Sequence, residues 1–134
     1  MDDQTVFGRL LMTLAVSPMW NWDAPPMLWA VICEDPVVIT PAIMMRSIGE
    51  LKPMAEHWRS HMPDDIPADT LCLVCEGAFT DGPEVRDAIV IHRDGGMAFF
   101  RHTRGTEVIQ QYDPTESTIE SVEVMREVGA SAWR

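Results

Sequence analysis

Three adjoining stretches of this chain, residues 70–79, 86–93 and 97–104, are rich in Val, Ile, Leu and Phe. Thr80-Asp81-Gly82-Pro83 separates the first two, and Asp94-Gly95-Gly96 the last two. Asp-Gly supplies residues that tolerate positive φ, which a tight hairpin demands, so the pattern predicts a three-stranded antiparallel meander. With Asp94 and Gly95 as the two turn residues, His92 faces Met97, Val90 faces Phe99 and Ile89 faces Phe100. A turn at Gly95-Gly96 shifts every pair. Apolar side chains then occupy both sheet faces, so one face must meet helices and the other must be at least partly covered.

Elsewhere the period lengthens. Phe7, Leu10, Leu11 and Leu14 recur at i, i+3, i+4 and i+7, which predicts an amphipathic helix over residues 3–16, capped by Asp3 and ended by Ser17-Pro18. Pro25-Pro26 holds the chain extended and feeds a first strand at residues 28–33. Residues 34–41 read as an acidic turn and a short apolar run, and residues 42–48 as a short helix. Leu51, Met54, Ala55, Trp58 and Met62 share one face of a helix over residues 51–62, with Pro53 tolerated in its first turn. A Pro- and Asp-rich connector, residues 62–69, precedes the meander. Asp113-Pro114-Thr115-Glu116 offers an N-cap, a proline at the first helical position and an early acid. That last helix is expected to run to Val128 and stop at Gly129, leaving residues 129–134 as a tail. The expected order is α-β-α-β-β-β-α. It describes one α+β domain over residues 1–134, a mainly antiparallel sheet of about four strands with helices packed on it.

Composition narrows the function classes. The chain has 134 residues, enough for one domain with its own core, and its three cysteines do not form a disulfide framework. Its longest apolar run, residues 27–33, is far short of the ~20 residues that span a membrane. Met1-Asp2-Asp3 lacks the positive charge of a signal peptide, so a cytoplasmic protein without membrane association is expected. With 21 acids against 10 bases the net charge is −11, which disfavours direct binding to nucleic-acid phosphates.

Several groups could carry chemistry, and each has a plainer structural explanation. His57 and His61 lie one helical turn apart, and Cys72-x2-Cys75 follows, the donor types of a zinc site. Cys72 and Cys75 fall within a strand, however, where their spacing sends them to opposite faces. A zinc-protease motif would need Glu after the first His, and here Trp58 stands there. Cys33 precedes Glu34 and Asp35, which disfavour a thiolate. No phosphate loop, dinucleotide fingerprint or nucleophile elbow is present, and no cofactor, metal or catalytic residue is expected. His92, Arg93, Arg101, His102 and Arg104 form a small basic patch on the hairpin that could bind an anionic ligand or an acidic partner. Glu116, Glu120, Glu123 and Glu127 make an acidic stripe on the last helix, and Trp133-Arg134 follows it. Trp and Arg are favoured interface anchors. Trp20, Trp22 and Trp29 cluster with Pro25 and Pro26, either as packing against a sheet edge or as a groove for an extended peptide.

Trp22-Asp23-Ala24-Pro25-Pro26-Met27-Leu28-Trp29-Ala30 after an N-terminal helix resembles a W-D-x-P-P-x-L-[YW]-A segment of small actinobacterial and actinobacteriophage proteins. Residues 71–77 and the hairpin at residues 89–95 resemble later parts of the same proteins. The resemblance implies a biological setting and carries no catalytic residues over.

The expected function is therefore non-enzymatic: an acidic domain that binds another protein, a host protein if the chain is phage-borne. Its candidate contact residues are Trp20, Trp22, Trp29, Glu120, Glu123, Glu127 and Trp133. Two alternatives are a nucleic-acid mimic that occupies a DNA-binding protein's groove and a small metal-binding or enzymatic domain. Homo-oligomerisation through Met- and Trp-rich surface is compatible with each.

Overall fold

The meander forms where alternation and turn chemistry place it, and it is the middle of a larger sheet. The computed structural model describes residues 22–23, 25–32, 38–60, 68–78, 82–106, 109–113 and 120–133. Strand β1 (Met27–Ile32) is followed by β2 (Val38–Met44), and a 3-10 turn at Ile48–Glu50 leads into helix α1 (Leu51–Ser60). Then come β3 (Thr70–Ala78), β4 (Glu84–His92), β5 (Met97–Thr103), β6 (Ile109–Tyr112) and helix α2 (Glu120–Ala132). The strands form one six-stranded sheet in the order β2-β1-β3-β4-β5-β6, every neighbouring pair antiparallel. The class is α+β, with two strands more than the pattern suggested. The helix expected over residues 3–16 lies outside the described residues, as do Trp20, Cys33, His61 and the Pro114–Glu116 part of the last helix's start signal.

Two sequence expectations fail around the first strand pair and the sheet edge. Residues 42–48 are not a helix: residues 38–44 pair with β1 from Ile32↔Val38 to Met27↔Met44. A bulge leaves Ala42 unmatched, since Leu28 pairs with Ile43 and Trp29 with Pro41. Proline is tolerated there because β2 is an edge strand and the bulge already interrupts the ladder. At the far edge, β6 reads Ile-Gln-Gln-Tyr, which carries no apolar run to announce a strand.

The hairpin register is also corrected. His92 N–H donates to Gly96 O at 2.7 Å and Gly95 N–H to His92 O at 2.9 Å, with Gly95 at φ 97°. The loop is therefore three residues, Arg93-Asp94-Gly95, a turn closed by a left-handed glycine. Asp94 fixes it by accepting from Gly96 N–H at 2.8 Å. Ile91 consequently pairs with Met97, Ile89 with Phe99 and Asp87 with Arg101, one residue from the Asp94-Gly95 register and three from the Gly95-Gly96 one.

Strand alternation divides the apolar residues into two clusters. Leu28, Leu71, Leu73, Ile89, Ile91 and Phe99 share the first face with Leu51 of α1 and with Val122, Met125 and Val128 of α2. Trp29, Val31, Cys72, Ala88, Val90, Ala98 and Phe100 form the second, on the opposite face. Each fully buried Leu, Ile or Val contributes roughly 1.5–3 kcal/mol. The helix α2 does not stop at Gly129 but continues to Ala132. Gly129 instead permits a close approach, since a Cβ there would collide with Ile91 Cδ1.

Candidate functional site

Charged and aromatic side chains gather at three places along β4 and β5, and the three differ in what they can do. Midway along the first face, Arg101 grips Asp87 with two parallel bonds, Nε to Oδ1 at 2.8 Å and Nη2 to Oδ2 at 2.9 Å. The guanidinium lies 5.3 Å from the Phe99 ring centre and 5.7 Å from that of Tyr112. The Asp87 hydrogen bonds raise the Arg101 pKa above its ordinary value. Cys75 stands opposite Asp87 on β3. Burial first, and then the Asp87 charge, push its thiol up to about 12. Both effects disfavour the thiolate at neutral pH.

At the end of the sheet away from the Asp94 turn, Trp22 lies between two arginines. Arg86 is 4.3 Å from its ring centre and Arg104 is 5.3 Å. Arg86, only 1% exposed, meets Glu76 at 3.4 Å, while Arg104 meets Glu84 at 2.6 Å and Asp23 at 3.5 Å. Burial lowers the Arg86 pKa from its ordinary value, and Glu76 opposes that shift. His102 adds a tilted ring contact with Trp22 at 5.5 Å, and Thr106 O accepts from its Nε2 at 2.7 Å. Asp23, Glu76 and Glu84 bring carboxylate oxygens within 4.8 Å of one another, the one such group of acids, cysteines and histidines among the described residues. Two guanidiniums already stand against these three carboxylates, so the group works as an ion-pair latch that fastens residues 22–23 to β3, β4 and β5. Asp23 makes its tight approach at φ 67°.

The third place is the Asp94 turn itself. A cavity of about 460 Å³ opens between that turn and the last turns of α2. Its apolar wall is Ile91, Met97 and Trp133, its charged rim includes Arg93 and Arg126, and Gly129 and Ala130 line the helix side. Ligand cavities typically measure roughly 300–1,000 Å³ with an apolar lining and a few convergent polar groups. One backbone oxygen organises the rim: Ala68 O accepts from Trp133 Nε1 at 2.9 Å and from Arg93 Nη2 at 3.2 Å. Arg93 N–H donates to Asp69 O at 2.8 Å, and its guanidinium lies 6.0 Å from the Trp133 ring centre. His92 and Asp94 also face the cavity and meet each other, Nδ1 to Oδ1, at 3.0 Å. Bonds from Gly96 N–H and from His92 lower the Asp94 pKa below the ordinary carboxylate value.

The seven expected contact residues separate on this frame. Trp29 is buried, 6% exposed, as part of the second-face cluster. Trp22 is half-buried and engaged by Arg86 and Arg104. Trp20 lies outside the described residues. Glu120 opens α2, and its side chain also lies outside the described residues. Glu123 is exposed, as is Glu127, which meets Lys52 of α1 at 3.0 Å. Of those among the seven whose side chains are described, Trp133 lines the cavity and the others do not.

Among the described residues, the candidate zinc donors His57, Cys72 and Cys75 do not converge. Cys72 belongs to the second-face cluster while Cys75 packs against the first, and His57 is exposed on α1. His92 and His102 sit at opposite ends of the β4–β5 pair, since His102 pairs with Arg86, about 20 Å from His92 at 3.3 Å per residue. Sequence reasoning missed Arg126 as a second arginine lining the cavity with Arg93, because nothing in the spacing of one helix and one turn brings them to one place. The basic character of the hairpin was the available signal.

No protein-family model, curated protein or solved structure matches this chain.

Proposed function

We propose that this chain is a non-enzymatic binding domain for a protein partner, and that it docks by the end of the sheet where the Asp94 turn meets α2. The cavity walled by Trp133, Ile91 and Met97 carries this reading. An indole held by a hydrogen bond to Ala68 O loses little further freedom when a partner covers it. Exposed Glu123 and Glu127 on α2 add a polar margin of the kind that surrounds an apolar anchor. The resemblance to actinobacterial and phage proteins suggests a host protein as the partner. A nucleic-acid mimic is the weaker reading, because Glu127 already pairs with Lys52.

The test is capture of partners from an actinobacterial lysate at low and high salt, with wild type, Trp133→Ala and a Glu123→Gln/Glu127→Gln double variant. A partner retained at high salt and lost only with Trp133→Ala is the expected result. Salt removes a charge-driven mimic complex and spares an apolar one. A partner insensitive to Trp133→Ala would overturn the assignment of this end as the docking site.

A further inference from the structure

The imidazole of His92, at the base of the Asp94 turn, has one nitrogen engaged and the other open. Nδ1 lies 3.0 Å from Asp94 Oδ1 and 3.2 Å from the backbone N of Asp94. The carboxylate is the nearer and the stronger of these two partners, because a bond to an ionised acceptor outweighs a neutral one. The neutral ring therefore carries its proton at Nδ1, directed at Asp94, and presents a bare lone pair at Nε2. Among the described residues no group bonds Nε2, and the atom is not closed off from solvent. The same residue lines the cavity of about 460 Å³, beside Ile91, Met97 and Trp133. We infer that this cavity takes a tyrosine side chain of the partner protein, whose hydroxyl donates to His92 Nε2. The inference rests on the protein-binding reading and names the side chain recognised at that site.

The lining sets both halves of this occupant. Ile91, Met97 and Trp133 make a wall for an aromatic body, since rings and Met sulfur pack favourably against rings. Tyrosine joins such a body to one polar tip, which finds a hydrogen-bond partner when buried. The other polar side chains at the cavity leave His92 as its neutral acceptor. Trp133 Nε1–H is engaged by Ala68 O, Arg93 and Arg126 are donors only, and Asp94 Oδ1 already accepts from Gly96 N–H. A phenylalanine would cover the wall but leave Nε2 buried without a partner, which is unfavourable. The charged groups around the ring are Asp94 and Arg93 on the turn, Arg126 on α2, and Asp69 beside Thr70, which pairs with His92 on β3. Protonation of the ring adds a hydrogen at Nε2 and turns the acceptor into a donor.

Two capped amino acids test this directly: N-acetyl-tyrosinamide and its O-methyl ether, which keeps the ring and lacks the hydroxyl proton. Heteronuclear NMR follows the Trp133 indole, the His92 ring and the backbone amides of residues 91–97. With His92 neutral by its own ring signals, the phenol should shift these resonances. It should bind roughly 5-fold more tightly than the ether, the worth of one net hydrogen bond. At the pH where the ring signals show His92 protonated, either oxygen can accept from Nε2–H, so the preference should vanish. His92→Phe should bind the two probes alike at both pH values. His92→Gln, whose amide oxygen can accept, should recover part of the preference, and unchanged amide shifts in β3 establish that both variants are folded. Equal binding of the two probes with His92 neutral would overturn the inference. A preference that survives protonation or His92→Phe, or no shift at these residues, would do the same. A lysate partner that is lost with Trp133→Ala but kept in full by His92→Phe would retain protein binding while refuting tyrosine recognition at His92.

Discussion

Replacing Gly129 with alanine sets two opposing effects against each other, and the packing of α2 decides the sign. In a helix, alanine is favoured over glycine by at most about 1 kcal/mol. A Cβ at this position would collide with Ile91 Cδ1 and would lie 3.1 Å from Cγ1 and 3.3 Å from Cγ2. Swinging Cδ1 away relieves only the first contact, because Ile91 branches at its own Cβ and its χ1 is restricted. Overpacking of this kind costs about 1–3 kcal/mol. The net expectation is a loss of roughly 1 kcal/mol, or about 3–6 °C in Tm for a chain of this size. Urea titrations followed by circular dichroism on wild type, Gly129→Ala, Ile91→Val and the double variant measure it. Ile91→Val alone costs about 1 kcal/mol and removes the colliding atom. The double variant should therefore be more stable than the sum of the single changes by about 1 kcal/mol. If Gly129→Ala stabilises the protein and the two changes simply add, the close helix–strand approach is refuted.

The latch at the other end gives a second expectation. Arg86→Ala leaves the Glu76 carboxylate without its buried guanidinium and removes the cation beneath Trp22, a loss of about 3 kcal/mol in urea titration. Arg86→Met, which keeps much of the apolar volume but not the charge, should lose nearly as much, and recovery of most of the stability by Arg86→Met would refute the charge-based account. Asp94 supplies a pH dependence. Its folded pKa is depressed, so unfolding takes up a proton as pH falls from the ordinary carboxylate value of about 4. Its stabilising contribution is complete above that value and is lost as pH falls through the folded pKa. Asp94→Asn should accordingly flatten the fall in urea midpoint between pH 4 and pH 2, and an unchanged slope would refute the contribution. For Cys75 the shift is upward, to about 12, so the native thiol should react with a disulfide reagent at pH 8 far more slowly than it does in denaturant. Rapid native labelling of this residue would show that burial does not protect it.

The meander was legible because β4 and β5 place apolar residues densely between turn residues of fixed chemistry. Its register was not, because a two-residue and a three-residue loop use the same Asp-Gly-Gly. The backbone bonds between His92 and Gly96 and between Gly95 and His92, with the Gly96 N–H bond to Asp94, distinguish them. The one-residue difference from the Asp94-Gly95 register is what sets Asp87 opposite Arg101 rather than opposite His102. Pro41 concealed β2, since proline argues against a strand unless the strand is at an edge. Gly129 resembled a helix stop because the same lack of a side chain serves a C-cap and a close packing contact. Trp29 and Trp133 look alike in sequence, and only burial distinguishes the core residue from the one that walls a cavity. The basic hairpin could be read, but its split into two distant ends could not, since that depends on strand length and on which residues reach each end.

The sheet edges bear on how a partner or a second copy can attach. An exposed edge strand offers unpaired backbone groups to any passing strand, and proteins commonly blunt such edges with proline, bulges or short strands. Here β2 carries Pro41 beside its bulge, and β6 is only four residues long. Extension of the sheet by a second copy is therefore disfavoured at both edges. The exposed Met44 and Tyr112 side chains lie at these same edges, one on each, too far apart to make a single apolar patch. Docking by strand ends is different in kind: it uses side chains held by completed backbone bonds, as Trp133 and Arg93 are held at Ala68 O. An interface of that sort can recognise a specific side chain without offering the backbone template on which aggregation proceeds.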